Sequence, residues 1–137
     1  MRLCIVFFGS NHRNQMLKIS EGLAKGLEAK GHFIDIIDGE HDVNKRLSMY
    51  SYIVLGAVAE GGFGGKINEK ISTYLSNAGV VSGKRSFAFI LKKGLRLTKT
   101  LQRLMAVMEH EGMFIKYSDI LSTPEEAEEV GKRLHIQ

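Results

Sequence analysis

The sequence predicts an α/β fold in three layers, with helices covering both faces of a parallel sheet. Five short apolar runs carry this reading, over residues 3–8, 33–37, 52–58, 87–91 and 113–117. Each is nearly continuous rather than alternating, the pattern of a strand buried on both faces. Between them apolar residues recur at helical spacing, and strands that alternate with helices imply right-handed parallel crossovers.

The first run, "LCIVFF", follows Arg2 and has a superficial look of a secretion signal. It is too short for one, and no small-residue cleavage site precedes the next charged segment, so it is read as strand one. Leu17, Ser20, Leu23, Ala24 and Leu27 form the first helical stripe, ended by Gly31. Ile67, Ile71, Tyr74, Leu75 and Ala78 form the second, ended by Gly79, and Leu101, Leu104, Met105 and Met108 the third, ended by Gly112. Ala127, Val130 and Leu134 form the fourth, with Thr123, Pro124 and Glu126 as cap, first turn and capping partner. The link "DGEHDVNKRLSMYS", residues 38–51, has poor apolar spacing and is expected to hold a short or irregular helix. With no repeat, low-complexity tract or linker, a single domain over residues 1–137 is expected.

Apolar residues make up 44% and charged residues 25% of the 137-residue chain, an ordinary globular balance. No apolar run reaches the roughly 20 residues that span a bilayer, so no membrane partner is expected. Cys4 is the only cysteine, so no internal disulfide can form, and a cytoplasmic location is expected. It lies within an apolar run, where a buried inert thiol is the reading. Lysine and arginine exceed acids by 19 to 15, a net charge of +4. The basic residues are scattered, with local density at Lys84-Arg85, Lys92-Lys93 and through Arg96, Lys99 and Arg103. A solvated face ranks first, an anionic ligand or partner second, and nucleic acid last, since no basic stripe interleaved with aromatics is present.

In an open parallel sheet, ligands bind beyond the carboxyl ends of the strands. Residues 9–15, 57–65 and 92–98 leave such ends. A dinucleotide fingerprint fails because Gly9 stands alone where three glycines are required. A nucleotide-hydrolysing phosphate loop fails in "EGGFGGKI", where Glu60 replaces the first glycine and Ile67 the metal-binding hydroxyl. A phospho-receiver site fails because Phe7-Phe8 and Gly56 stand where acids are needed. The histidines His12, His32, His41, His110 and His135 have no metal-ligand spacing. Glu60 is the only acid in the three loops, so no nucleophile–histidine–acid arrangement can be assembled from them.

The chain resembles the flavodoxin-like family over nearly its whole length. "FFGSNHRNQMLKISEGLAKGLEAKGHFIDIID" is similar to that family's first strand, phosphate loop, helix and second strand. "YIVLGAVAEGGFGGKINEKISTYL" is similar to its third strand, flavin-contacting loop and next helix. "FAFILKKGLRLTKTLQRLMAVMEHEGMFI" is similar to its fourth strand, last flavin loop, helix and fifth strand. The resemblance implies a three-layer flavodoxin-like sandwich on a five-stranded parallel sheet of order 2-1-3-4-5, with FMN bound non-covalently. It implies phosphate contacts from Ser10, Asn11, His12, Arg13, Asn14 and Gln15. The family's loop reads S/T-x-T-G-x-T, and here His12, Arg13 and Gln15 stand where threonine, glycine and threonine are expected. The flavin ring would be flanked by Ala57, Val58, Ala59, Gly61, Gly62 and Phe63, and on its other side by Lys92, Lys93, Gly94 and Leu95.

Each loop has a plainer alternative. Ser10 or Asn11 would serve as a helix N-cap with Arg13 in water, or Arg13 would fork a phosphate at the positive helix start. Phe63 would stack on a flavin or plug the sheet edge, and Lys92 and Lys93 would raise a flavin's potential or simply be exposed. Tyr50 and Tyr52 precede the third strand, at the wrong end, and are read as packing residues. Three functions follow in order. The first is an FMN-binding electron carrier serving a redox partner protein, without catalytic residues. The second is a flavodoxin-fold interaction module that has lost FMN and docks through the basic helix around Arg96, Lys99 and Arg103. The third is a nicotinamide-dependent flavin reductase, suggested by the G-S-x-R-like Gly9, Ser10 and Arg13, of a kind that usually forms a homodimer.

Overall fold

The computed structural model describes residues 1–61 and 65–136. Its strands are β1 (Arg2–Phe8), β2 (Phe33–Asp38), β3 (Tyr52–Ala57), β4 (Arg85–Leu91) and β5 (Phe114–Leu121). Its helices are α1 (Arg13–Glu28), α2 (Lys70–Asn77), α3 (Leu97–His110) and α4 (Pro124–Arg133). The strands form one parallel sheet in the order β2-β1-β3-β4-β5, the order that the family resemblance implies.

The central strands are apolar throughout because both of their faces are covered. Leu3, Ile5 and Phe7 of β1 pack with Met16, Ile19, Leu23 and Leu27 of α1 and with Ala127 and Val130 of α4. Cys4, Val6 and Phe8 face the other way, among Ile71, Tyr74 and Leu75 of α2 and Leu104 and Met108 of α3. Cys4 is fully buried, and burial pushes its thiol pKa up, so it is unreactive. Tyr50 and Tyr52 are also buried, and the Tyr50 hydroxyl donates to Asp35 at 2.7 Å. No helix among the described residues is long and apolar enough to cross a membrane.

The edges depart from the pattern read in the sequence. β5 runs on to Leu121, past Ser118 and Asp119, because an edge strand is half solvated and tolerates polar residues. A register shift pairs Ser86 with Ile115 and Phe87 with Tyr117, leaving Lys116 as an extra residue on the open edge. α2 starts only at Lys70, where the Asn68 side chain accepts the Lys70 N–H at 2.9 Å, so Ile67 lies in the preceding loop and still packs on the core. Residues 39–51 hold turns and no helix. Buried Leu47 and Tyr50 pin that segment, the Leu47 N–H donates to the Ala78 carbonyl at 2.7 Å, and Lys84 Nζ donates to the Ser48 and Tyr50 carbonyls at 2.7 and 2.8 Å.

α4 begins as its sequence requires. Thr123 Oγ1 accepts the Glu126 N–H at 3.1 Å, with Pro124 opening the helix. The Glu126 carboxylate reaches back one residue further than a simple capping box, accepting the Ser122 N–H at 2.7 Å. Thr123→Ala is expected to cost about 1 kcal/mol, read as a lowered urea midpoint with unchanged slope.

Candidate functional site at the carboxyl rim of the sheet

β1, β3 and β4 end side by side, with Phe8 paired to Ala57 and Ala57 to Ile90, so the three loops leave one rim. β2 lies beside β1 with Asp38 opposite Phe7, so the residues that follow Asp38 share that rim.

After Phe8 the chain reverses tightly. A Cβ on Gly9 would lie 2.6 Å from Arg13 Cα, so only glycine fits without a shift. Ser10 follows with φ +49°, in the left-handed region that costs a side-chain-bearing residue energy. Residues 10–12 form one 3₁₀ turn, in which the His12 N–H donates to the Gly9 carbonyl at 2.7 Å. α1 then starts at Arg13, and no side chain caps it. Of the two alternatives for this loop, capping by Ser10 or Asn11 does not occur: His12 holds the cap position, and the Ser10 side chain is engaged elsewhere. Residues 10–15 line an open depression of about 320 Å³. Asn11, Arg13, Asn14 and Gln15 are exposed, while His12 is half-buried with its Nδ1 enclosed and without a partner among the described residues.

Two carboxylates converge on Ser10. Its N–H donates to Glu40 Oε1 at 2.7 Å, and its hydroxyl donates to Glu60 Oε1 at 2.5 Å. Asn68 Nδ2 stands 3.4 Å from the same hydroxyl oxygen. Glu60 is placed by an antiparallel bridge to Lys66, its N–H donating to the Lys66 carbonyl at 2.8 Å. Glu40 is placed by Gly39, whose N–H donates to the Phe7 carbonyl at 2.9 Å and whose missing side chain leaves room for the Phe8 ring.

Asp38, with its side chain 8% exposed, accepts Arg13 Nε–H at 2.7 Å, faces His41 Nδ1 at 2.8 Å, and accepts the Glu40 N–H at 3.1 Å. Burial pushes its carboxyl pKa up, but the hydrogen bonds from Arg13, the Glu40 amide and His41 outweigh it and hold the carboxyl below its ordinary value. Arg13 is thus neither loose in water nor free to swing. It is held through Nε, and its terminal nitrogens have no partner among the described residues.

The second loop divides. Ala57 ends β3 and Val58 follows it, both with their side chains buried in the core layers. Ala59 is half-buried and Gly61 is exposed, with φ +77°. Gly62 and Phe63 lie outside the described residues. The loop is tied down where it ends, by the Gly65 N–H donating to Thr100 Oγ1 at 2.9 Å. In the third loop Lys92, Lys93, Gly94 and Leu95 are all exposed, Leu95 by 63%.

Asp38, Glu40 and His41 are the rim residues that loop-by-loop reading missed. The implied strand order was the usable signal, because it sets the end of β2 against the turn after β1.

No family model matches the chain, and no curated protein matches it. Solved structures do. The oxidised flavodoxin 1 of Bacillus cereus superposes with a TM-score of 0.71 at 15% identity, covering 98% of this chain and 100% of that one. The two-electron reduced flavodoxin of Megasphaera elsdenii gives 0.66 at 14% identity, covering 96% of each chain. A flavone reductase gives 0.70 at 9% identity, covering 96% of this chain and 61% of its own. At this identity the likeness lies in the path of the backbone, and on that ground the chain has a flavodoxin-like fold.

Proposed function

We propose that the protein binds FMN at the carboxyl rim of its sheet and carries electrons between partner proteins. The start of α1 carries this reading. It has no side-chain cap and no acid in its first turn, and it opens on the depression lined by residues 10–15. Uncapped amides at a helix start bear about half a positive charge, which suits a phosphate. The enclosed His12 Nδ1 in the same turn adds a polar atom whose burial is uncompensated. These features fit the phosphate end of FMN on the helix side of the turn.

Asn11, Asn14 and Gln15 would donate from their exposed amides, and Arg13 would present its terminal nitrogens while Asp38 holds its Nε. Ala59 and Gly61 would flank one side of the ring, and Lys92 to Leu95 the other. The two lysines would favour negative charge on the ring and so raise its potential. Bound FMN would supply reversible electron transfer, and the chain would set its exposure and potential.

The purified protein is expected to be yellow, or to quench FMN fluorescence when titrated at micromolar concentration. A colourless protein that quenches nothing would end this reading. Arg13→Ala is expected to weaken FMN by about 10–100-fold, the worth of a charge-assisted hydrogen bond, and to leave phosphate-free riboflavin unchanged. Equal weakening of both would remove Arg13 from the phosphate.

A second reading, a flavodoxin-fold interaction module without FMN, is favoured by one observation. Both hydrogen-bond donors of Ser10 are already taken by glutamates.

A further inference from the structure

The geometry points to Glu40 and Glu60 as residues that set the phosphate selectivity of the rim, a built-in anion competing with any phosphate for Ser10. This rests on the flavin reading above and deepens it. A phosphate seated at the turn after β1 would draw on the backbone N–H and hydroxyl of Ser10. Here that N–H is 2.7 Å from Glu40 Oε1 and that hydroxyl 2.5 Å from Glu60 Oε1, so both donors already serve carboxylates. The two glutamates come from different segments, one after β2 and one after β3, and each is anchored by backbone bonds of its own loop. Together with Asp38 they place three carboxylates around one turn, against the single guanidinium of Arg13. A dianion entering beside them meets like charge in a partly dry site, where repulsion is strong. The ring end of a flavin carries no such charge in its oxidised form. The wild-type rim therefore favours FMN over riboflavin by less than Arg13 and the helix start alone would give, and the glutamates are the cause.

Glutamine is the informative replacement. Its carbonyl can keep both hydrogen bonds to Ser10 while removing the charge, so the fold is retained. The double variant Glu40→Gln/Glu60→Gln is expected to bind FMN at least about tenfold more tightly than wild type, with riboflavin affinity changed less than about threefold. FMN affinity within about twofold of wild type in the double variant overturns the proposal, as does an equal gain for both flavins. If neither form binds either flavin, the flavin reading fails by itself. The competition is then decided with inorganic phosphate against chloride at equal ionic strength. A phosphate-dependent rise in melting temperature in the double variant alone supports it, and equal response of the two forms overturns it. Glu40→Ala/Glu60→Ala frees the Ser10 donors outright and is expected to give at least as large a gain. Circular dichroism on each variant verifies that it folds.

Discussion

Replacing Gly26 by alanine is expected to destabilise the protein by about 1–3 kcal/mol, the usual cost of overpacking, although alanine is the better helix former by about 1 kcal/mol. The sign of the effect is the test. Gly26 lies inside α1, and a Cβ there would collide with the Glu128 carbonyl oxygen of α4 and stand 3.0 Å from Gly131 Cα. Gly22 meets the Pro124 carbonyl in the same way, and a Cβ on Gly131 would lie 2.6 Å from the Leu23 carbonyl oxygen. The two helices therefore pack backbone against backbone, and neither can yield without moving as a whole. Gly26→Leu is expected to cost more still, because a whole side chain has no space at the crossing. Urea unfolding monitored by circular dichroism reads both. A Gly26→Ala protein more stable than wild type would show that α1 and α4 do not approach this closely.

The second large effect is expected at Asp38. Asp38→Ala removes the acceptor of Arg13, of the Glu40 amide and of His41 together, at a site where the side chain is 8% exposed. A loss of about 1–3 kcal/mol follows from leaving those donors unpaired. The half-exposed Arg13 recovers part of its cost through water. The pH dependence has a definite sign. The folded protein holds the Asp38 carboxyl below its ordinary value, so between the two values the unfolded chain binds more protons and stability rises with pH. The contribution is complete above the ordinary value of about 3.9 and is lost as pH falls through the lower folded value. Wild type should therefore lose stability below about pH 4, and Asp38→Asn should reduce that slope and leave the part that comes from Asp35, whose carboxyl the Tyr50 hydroxyl and Arg2 also hold below its ordinary value. Parallel slopes for the two proteins would show that Asp38 is not the group that titrates.

The central strands were legible because burial on both faces demands unbroken apolar runs, and β1, β3 and β4 satisfy that demand. The α4 start was legible because Thr123, Pro124 and Glu126 act within four residues of one another. β5 was read short because Ser118 and Asp119 interrupt the apolar pattern on a strand with one open edge. Gly22 and Gly26 carried no signal as packing residues, since an apolar stripe does not reveal that a helix will be crossed at close range.

At the rim, the loops after β1, β3 and β4 could be named in advance, because parallel strands deliver their carboxyl ends to one side. Which side chains meet there could not. Glu40 and Glu60 reach Ser10 from 30 and 50 residues away in the chain. Composition and periodicity alone therefore determined the layers, the central strands and the rim to which the loops after them lead. Folding alone decided that Ser10 is shared by two carboxylates and that Arg13 is held by a third. The reason is that periodicity reports the face a residue presents to its own element. The partner it meets depends on how separate elements are registered against one another.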